Sequence, residues 1–264
     1  MKIFDKIIYK LIFKYSEQKI YNSFHNSSII WHFSTPKSGS TFLNEYIQNS
    51  LESRKIVTPF PKIRNRQHEI CIHTLFEKIN SNLNNRFLTI NIHCPHNNFL
   101  NKIFSKNHKI IIQYRNIFQT IESYVDFLDK LVFKNIDIKF PFFFIVNNLW
   151  VKLSRYEKVQ LFIDNYLPWH INFIESWRNY SLNNQVFLIS YSEAIRQANE
   201  VTSKIKDKNE PFNRKFTIDM NKVNYSKGFE RNLTMNDIQK NNIRDVIDRN
   251  VLNKAENYEN YYFN

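Results

Sequence analysis

A lysine in a short turn between a predicted strand and a predicted helix could bind an anion. The apolar residues 29–33 predict a β-strand, the small-residue turn after them carries Lys37, and a helical pattern begins at Phe42. Backbone N–H groups at a helix N-terminus are unpaired and carry partial positive charge, and a lysine adds a full charge. The spacing therefore predicts a phosphate-binding loop.

Glycine usage strengthens this prediction. The chain contains two glycines, Gly39 in the turn and Gly228 near the other end. Glycine is the default residue where a backbone takes a positive φ or closely approaches a ligand, and we expect one of these at both positions. The alternative is an ordinary strand-to-helix turn with a solvated lysine, and the flanking strand and helix favour the phosphate loop.

Two further candidate residues stand at the ends of predicted strands. The strand at residues 86–93 ends in His93, and the strand at residues 109–115 ends in Arg115. Ligands of α/β sheets bind at the carboxyl ends of the strands, so His93 is placed for acid–base chemistry. A buried histidine paired with the backbone is the alternative. Ser123 lies eight residues after Arg115, a little over two helical turns, so both could face one phosphate.

The length fits one globular α/β domain with a sizeable core, with two small domains as the alternative. Of 264 residues, 42% are hydrophobic and 16% aromatic, which disfavours disorder, and the net charge of +13 attracts anionic partners. The two cysteines, Cys71 and Cys94, form neither a metal-ligand pattern nor a disulfide framework, which favours reduced intracellular thiols. No apolar run reaches the roughly 18 residues of a membrane span, and no signal peptide is recognisable, so we predict a cytoplasmic protein.

The N-terminal residues 1–28 form a separate segment with the pattern of a basic amphipathic helix. Such a helix can lie on an anionic membrane surface. The alternative is that its apolar stripe packs on the domain. The sequence therefore leaves peripheral membrane contact open.

The turn resembles the 5′-phosphosulfate loop of the sulfotransferase family, whose usual sequence is Tyr-Pro-Lys-Ser-Gly-Thr-Thr-Trp. Here residues 35–42 read Thr-Pro-Lys-Ser-Gly-Ser-Thr-Phe. The resemblance implies that Phe42 replaces the tryptophan that stacks on adenine. It also implies that the cofactor is bound by Lys37, Ser38, Gly39, Ser40 and Thr41.

Two later segments resemble the family at the candidate strand ends. Asn-Ile-His-Cys-Pro-His, which contains His93 and His96, is similar to a Thr-His-Leu-Pro pattern whose histidine is the general base. The resemblance implies that His93 is the base, with His96 as the rival. Tyr-Arg-Asn-Ile-Phe-Gln-Thr-Ile-Glu-Ser-Tyr is similar to Val-Arg-Asn-Pro-Lys-Asp-Val-Ala-Val-Ser-Tyr. This similarity implies that Arg115 and Ser123 bind the 3′-phosphate of the cofactor.

The remaining resemblances lie further along the chain. Tyr191, at the end of a strand predicted at residues 185–191, begins Tyr-Ser-Glu-Ala, which looks like the family's Tyr-Glu-Asp-Leu and implies contact with adenine. A Ser-Lys-Gly tripeptide resembles the Arg-Lys-Gly that closes over the 3′-phosphate. Ser226 stands where arginine is usual, and Arg231 could compensate. The implied ligands are Ser226, Lys227 and Gly228.

Together the resemblances imply a P-loop-like three-layer α/β fold with a central parallel sheet flanked by helices. Residues 29–264 would form a single domain with an aromatic helical insert at about 127–167. The implied activity is sulfuryl transfer from 3′-phosphoadenosine 5′-phosphosulfate (PAPS) to a hydroxyl or amine acceptor, with adenosine 3′,5′-bisphosphate (PAP) as product. His93 would act as general base, and Lys37 would stabilise charge on the leaving group.

The expected partner is a small-molecule, lipid or glycan acceptor, without metal or nucleic acid, and a homodimer is left open. One alternative is a P-loop kinase, which would need a Gly-Lys-Ser/Thr sequence and a strand-end aspartate for Mg²⁺, and we identify neither in the sequence. The other alternative is a non-catalytic basic module that binds nucleic acid or anionic membrane.

Overall fold

The computed structural model describes the central part of the chain and its C-terminal helices. The described residues are 29–51, 54–56, 88–105, 107–133, 138–140, 144–146, 150–181, 186–196, 198, 234–251 and 259–263. The predicted N-terminal helix and the tripeptide Ser226, Lys227 and Gly228 lie outside these residues. They therefore remain predictions.

A parallel sheet lies at the centre of the described structure. In chain order the strands are β1 (Ile29–Ser34), β2 (Arg54–Ile56), β3 (Leu88–Ile92), β4 (Lys109–Tyr114), β5 (Ile138–Phe140), β6 (Phe144–Val146) and β7 (Phe187–Ser190). Five of them form the central sheet in the order β2-β3-β1-β4-β7. β1 and β4 are continuous runs of mainly apolar residues, as expected for strands of a parallel sheet that are covered on both faces. The parallel sheet predicted from the sequence is confirmed.

Helices cover both faces of this sheet. They are α1 (Ser40–Leu51), α2 (Asn98–Ile103), α3 (Ile117–Phe133), α4 (Arg155–Asn165), α5 (Leu167–Ser181), α6 (Tyr191–Arg196), α7 (Asp237–Asn250) and α8 (Asn260–Phe263), with a 3₁₀ turn at Trp150–Lys152. Trp31 and Phe33 pack in one core with residues of α3, α4 and α5, whereas Ile30 packs with α1 and α6. Successive side chains of a strand point to opposite faces, so the two cores make three layers. Within the described part of the chain, no helix is long and apolar enough to cross a bilayer.

The aromatic stretch predicted to be helical differs from that expectation in its middle. Ile138–Phe140 and Phe144–Val146 form a two-stranded antiparallel sheet, separate from the central one. Phenylalanine and β-branched residues favour strands, and Pro141 between the two runs disfavours a continuous helix. The prediction of helix is therefore wrong at these six residues. Later in the stretch α4 is helical, and α5 begins only at its last residue, Leu167.

The strand predicted to end at Tyr191 ends one residue earlier, because a helix cap intervenes. The backbone N–H of Ser190 donates to Glu193 Oε2 at 2.7 Å, and the N–H of Glu193 donates to Ser190 Oγ at 3.2 Å. This reciprocal pair is a capping box. It makes Tyr191 the first residue of α6.

Candidate functional site

The predicted phosphate loop has an unusual backbone between β1 and α1. Lys37 has φ 63° and Gly39 has φ 77°. A positive φ is uncommon at a residue other than glycine, so Lys37 is held in place by its surroundings. At Gly39 a Cβ atom would lie 2.7 Å from Tyr191 Cε2, closer than real contacts allow. The positive φ matches the expectation for the first glycine, and the space beside it is occupied by the Tyr191 ring.

Hydrogen bonds from neighbouring strands and from within the turn hold this backbone. The backbone N–H of Thr35 donates to Gln113 O at 2.9 Å, and Ser38 Oγ donates to Thr35 O at 2.6 Å. The side chain of Gln113 donates to Ser38 O at 2.6 Å. Arg115 Nη1 donates to Lys37 O at 2.9 Å. Two consecutive carbonyl groups of the loop are therefore bound by side chains from the end of β4.

Positive charge concentrates where the loop enters α1. Ser40 is the first residue of this twelve-residue helix, and the side chain of Thr41 is exposed. The first N–H groups of a helix have no intrahelical acceptor and carry partial positive charge. The Lys37 ammonium lies 4.3 Å from the ring centroid of Phe127 on α3. This set of groups is suited to a sulfate or phosphate ester.

Arg115 joins the loop to α6. Its guanidinium lies 4.2 Å from the ring centroid of Tyr191, and its Nε donates to Gln119 Oε1 at 3.3 Å. The Arg115 side chain is buried, and its Nη1 also donates to the loop carbonyl of Lys37. Ser123 lies two turns further along α3 with a partly exposed side chain. Binding of one phosphate by Arg115 and Ser123 remains a prediction.

The two rings expected at adenine lie together beside the loop. Phe42 and Tyr191 belong to one buried cluster with Tyr46, Ile195 and Ala198. Phe42 is 3% exposed, and its ring centroid lies 6.2 Å from that of Tyr46. In this arrangement Phe42 is covered, so adenine stacking on it would require its neighbours to move. Both adenine contacts remain predictions.

His93 follows β3 and lies beside the last residue of β1. Its Nδ1 lies 2.6 Å from the carbonyl oxygen of Ser34 and 3.1 Å from Ser34 Oγ. A carbonyl oxygen can only accept, so Nδ1 carries the hydrogen and Nε2 carries the lone pair. Burial lowers the pKa of His93 to about 4, and the hydrogen bond to the Ser34 backbone partly opposes this shift. The imidazole is therefore neutral near pH 7.

The rival residue His96 has a different environment. Its ring stacks on Tyr180 with centroids 4.3 Å apart and meets the edge of Trp177 at 5.1 Å. Its Nε2 lies 2.8 Å from Asn101 Oδ1, and its backbone N–H donates to Ser176 Oγ at 2.9 Å. These contacts place His96 against α5, whereas His93 contacts the residue before the loop. Which of the two histidines is the base remains a prediction.

Sequence reasoning missed a polar cluster beneath the loop. It consists of His32 in β1, Asn44 in α1 and Gln113 in β4, all with less than 2% exposure. A signal was available, since His32 and Gln113 are polar residues inside strands of mainly apolar residues. Buried polar side chains in such strands require partners, which marks them for inspection.

Sequence reasoning also missed Glu122, the neighbour of the predicted phosphate ligand Ser123. Its buried carboxylate accepts from the backbone N–H groups of Thr234 at 2.9 Å and Met235 at 2.8 Å. It also forms an ion pair with Arg155 of α4. The carboxylate thus fixes the chain at residues 234 and 235 against α3.

The chain matches a known family model and is similar to a solved structure. The family model described as a sulfotransferase domain matches residues 28–231. No curated protein matches this chain significantly. Among solved structures, the chain is similar to mouse sulfotransferase SULT7A1 complexed with PAP, at 18% identity and a TM-score of 0.45, over 72% of this chain. The match spans 65% of that protein's chain. Because the family model covers most of its length, this chain belongs to the sulfotransferase family.

Proposed function

We propose that this protein transfers the sulfuryl group of PAPS to a hydroxyl or amine acceptor and releases PAP. One observation carries the proposal: His93 donates from Nδ1 to the carbonyl of Ser34, the residue that precedes the phosphate loop. A proton acceptor and an anion-binding loop therefore meet at the ends of two adjacent parallel strands, β1 and β3. Membership of the sulfotransferase family supports this reaction class.

The loop side of the site would bind the donor and stabilise its leaving group. PAPS supplies an activated sulfuryl group on a phosphate that gains negative charge as the group departs. Lys37, the N-terminus of α1 and Arg115 together offer positive charge that fits such an anionic donor. The backbone N–H groups at the start of α1 and the Lys37 ammonium stabilise the negative charge that develops on the leaving phosphate. They do so because they are positioned before the reaction begins.

The β3 side would remove the acceptor's proton. The Nδ1 hydrogen bond to Ser34 fixes the tautomer of His93, so Nε2 is the basic nitrogen. Nε2 takes the proton of the acceptor hydroxyl as that oxygen becomes the nucleophile. Since the pKa of His93 is about 4, nearly all molecules hold the base in its accepting form at neutral pH.

The remaining donor contacts and the class of acceptor are proposed from the family resemblance. Arg115 and Ser123, with Ser226, Lys227 and Gly228, would bind the 3′-phosphate, and Phe42 and Tyr191 would contact adenine. The acceptor is a small molecule, a lipid or a glycan. Contact of the N-terminal segment with a membrane and formation of a homodimer are compatible with this function.

Formation of PAP from PAPS tests the proposal. The protein is incubated with PAPS and separate pools of phenols, glycans and lipid alcohols, and PAP is quantified. We expect PAP formation with one pool, its loss in Lys37→Ala, and its retention in Lys152→Ala, which removes an exposed lysine of the 3₁₀ turn. No PAP from any pool, together with salt-sensitive binding to DNA or anionic vesicles, would favour a basic binding module instead.

A further inference from the structure

The polar cluster beneath the loop forms a continuous path of hydrogen bonds from α1 to the loop backbone. Asn44 Oδ1 lies 3.2 Å from His32 Nδ1, and His32 Nε2 lies 2.8 Å from Gln113 Oε1. Gln113 Nε2 lies 2.6 Å from the carbonyl oxygen of Ser38. The path thus connects three secondary-structure elements to one peptide group of the loop.

The donor and acceptor of each hydrogen bond can be assigned in turn, starting at the loop carbonyl. The Ser38 carbonyl can only accept, so Gln113 donates through Nε2 and presents Oε1 to the histidine. Because Oε1 can only accept, His32 must donate from Nε2. Burial lowers the pKa of His32 to about 4, so at neutral pH its single hydrogen lies on Nε2. The amide of Asn44, whose Oδ1 lies 3.2 Å from Nδ1, can donate to that nitrogen only with its oxygen and nitrogen exchanged.

This arrangement determines where the next N–H group of the loop points. In a trans peptide the C=O and N–H groups lie on opposite sides of the plane, and the described chain contains no cis peptide bond. Since the Ser38 carbonyl turns inward to Gln113, the N–H of Gly39 turns outward, away from the sheet. That N–H stands directly before the first turn of α1.

The loop sequence by itself does not impose this orientation. Glycine accepts positive and negative φ about equally well, so the peptide between residues 38 and 39 could flip at little cost. A flipped peptide would present the Ser38 carbonyl, rather than the Gly39 N–H, to an anion. An external group must therefore select the binding orientation.

We propose that Gln113, held by His32, is a positioning residue that orients the Ser38–Gly39 peptide so that the Gly39 N–H binds the sulfate or phosphate of the donor. The inference rests on the proposed function for the identity of that anion. It assigns to two buried polar residues a role in binding rather than in stability alone.

The chain permits an unusually selective test, because it has two glycines. Protein labelled with ¹⁵N-glycine gives two backbone amide signals, and Gly228→Ala identifies the signal of Gly39. PAP is titrated while this signal and the dissociation constant are followed. The Gly39 signal is expected to move in the wild type as PAP binds.

Two substitutions of Gln113 remove the donor in different ways. Gln113→Glu keeps the shape but places a carboxylate oxygen against the Ser38 carbonyl, and Gln113→Met keeps the approximate volume without polar atoms. Both are expected to displace the Gly39 signal before PAP is added. Both should weaken PAP binding by about tenfold or more, the effect of losing one well-aligned hydrogen bond to an anion.

Substitutions of His32 separate positioning from general stability. His32→Gln retains a donor that reaches Gln113 and should bind PAP within about threefold of the wild type, whereas His32→Leu should weaken binding by about tenfold. His170→Leu is the matched control. His170 is equally buried, contacts Tyr166 and Tyr262, and lies in α5, so its loss should leave PAP binding and the Gly39 signal unchanged.

The outcomes distinguish this inference from the proposed function. If the wild type binds PAP and the Gln113 variants bind equally well, the inference is wrong and the function stands. If the folded wild type does not bind PAP, the proposed function is wrong. The positioning role of Gln113 is then tested by the Gly39 signal without PAP. If that signal is the same in Gln113→Glu and in the wild type, the inference is wrong. If His170→Leu weakens PAP binding as much as His32→Leu does, the effect of His32→Leu is a general loss of stability, and the inference is wrong.

Discussion

The two faces of the central strand β1 differ in chemistry although they share one backbone. On one face Trp31 and Phe33 lie in the large apolar core, and the ring of Phe33 lies 4.3 Å from that of Trp177 in α5. On the other face Ile30 packs in an apolar core, but His32 and Ser34 make hydrogen bonds towards the loop and towards the predicted base.

The difference indicates that one face of β1 mainly stabilises the fold and the other mainly positions the site. Burying a large apolar side chain contributes roughly 1.5–3 kcal/mol, whereas a typical hydrogen bond contributes only about 1 kcal/mol net. The aromatic face therefore holds the sheet together. The polar face adds little stability, yet its directional bonds fix the loop and His93, and the two faces should respond differently to substitution.

The largest predicted effect is on the polar side, at the base itself. His93→Asn keeps a donor near Nδ1 for the Ser34 carbonyl but removes the basic nitrogen, so kcat for sulfuryl transfer should fall by about 10²–10⁴-fold. Affinity for PAP should remain close to that of the wild type. The matched control His96→Asn should retain most activity, and the reverse ranking of the two variants would make His96 the base.

On the aromatic face, Phe33→Ala should affect stability rather than binding. Truncating a fully buried phenylalanine typically costs about 3–5 kcal/mol, because transfer energy is lost and a cavity remains. Urea unfolding followed by circular dichroism measures this loss. The fraction that stays folded should bind PAP with unchanged affinity. A selective loss of affinity at constant stability would contradict the division between the two faces.

Acid should destabilise the protein through its buried histidines. Burial lowers the pKa values of His32 and His93 to about 4 and that of His170 to about 3. The unfolded chain takes up protons below about pH 6.5 while the folded protein does not, so stability present above that pH is lost as pH falls towards 4. Each of the three histidines should contribute a loss of up to about 3 kcal/mol by pH 4, on the scale of about 1.4 kcal/mol per pKa unit.

Unfolding in urea between pH 7.5 and 4 measures this acid dependence. His32→Gln should show a shallower decrease than the wild type, because one protonation site is removed from the unfolded chain. Equal slopes for the two proteins would show that His32 is not held neutral by the fold.

The smallest predicted effect is at the glycine of the loop. Gly39→Ala places a Cβ against Tyr191 and requires alanine at φ 77°, so stability should fall by about 1–3 kcal/mol. The double variant Gly39→Ala with Tyr191→Leu should regain the stability that the clash with the ring removes. The loss caused by the positive φ of alanine should remain. A fully additive double-mutant cycle would mean that the ring does not limit this position.

The sequence predicted the elements around the site because their signals are local. The apolar run of β1, the turn with Lys37 and the helix after it lie within one short stretch, and β4 with Arg115 is likewise one run. The pairing of His32 with Gln113 was not predictable in this way. It spans 81 positions and depends on β4 lying beside β1, which is a property of the sheet order.

Two further differences have similar causes. The two paired strands at residues 138–140 and 144–146 lie in an aromatic stretch whose composition suits a core helix as well as a strand. The packing of Tyr191 on Gly39 joins two elements that are remote in sequence. Local patterns thus predicted the elements, whereas contacts between elements required the structure.

Calorimetric titration of PAP tests the central claim most directly. We predict that the wild type binds PAP, that Lys37→Ala and Arg115→Ala each weaken binding by about tenfold or more, and that Lys152→Ala binds as the wild type does. A folded wild-type protein that does not bind PAP, or binding that is insensitive to both loop-side substitutions, would contradict the claim.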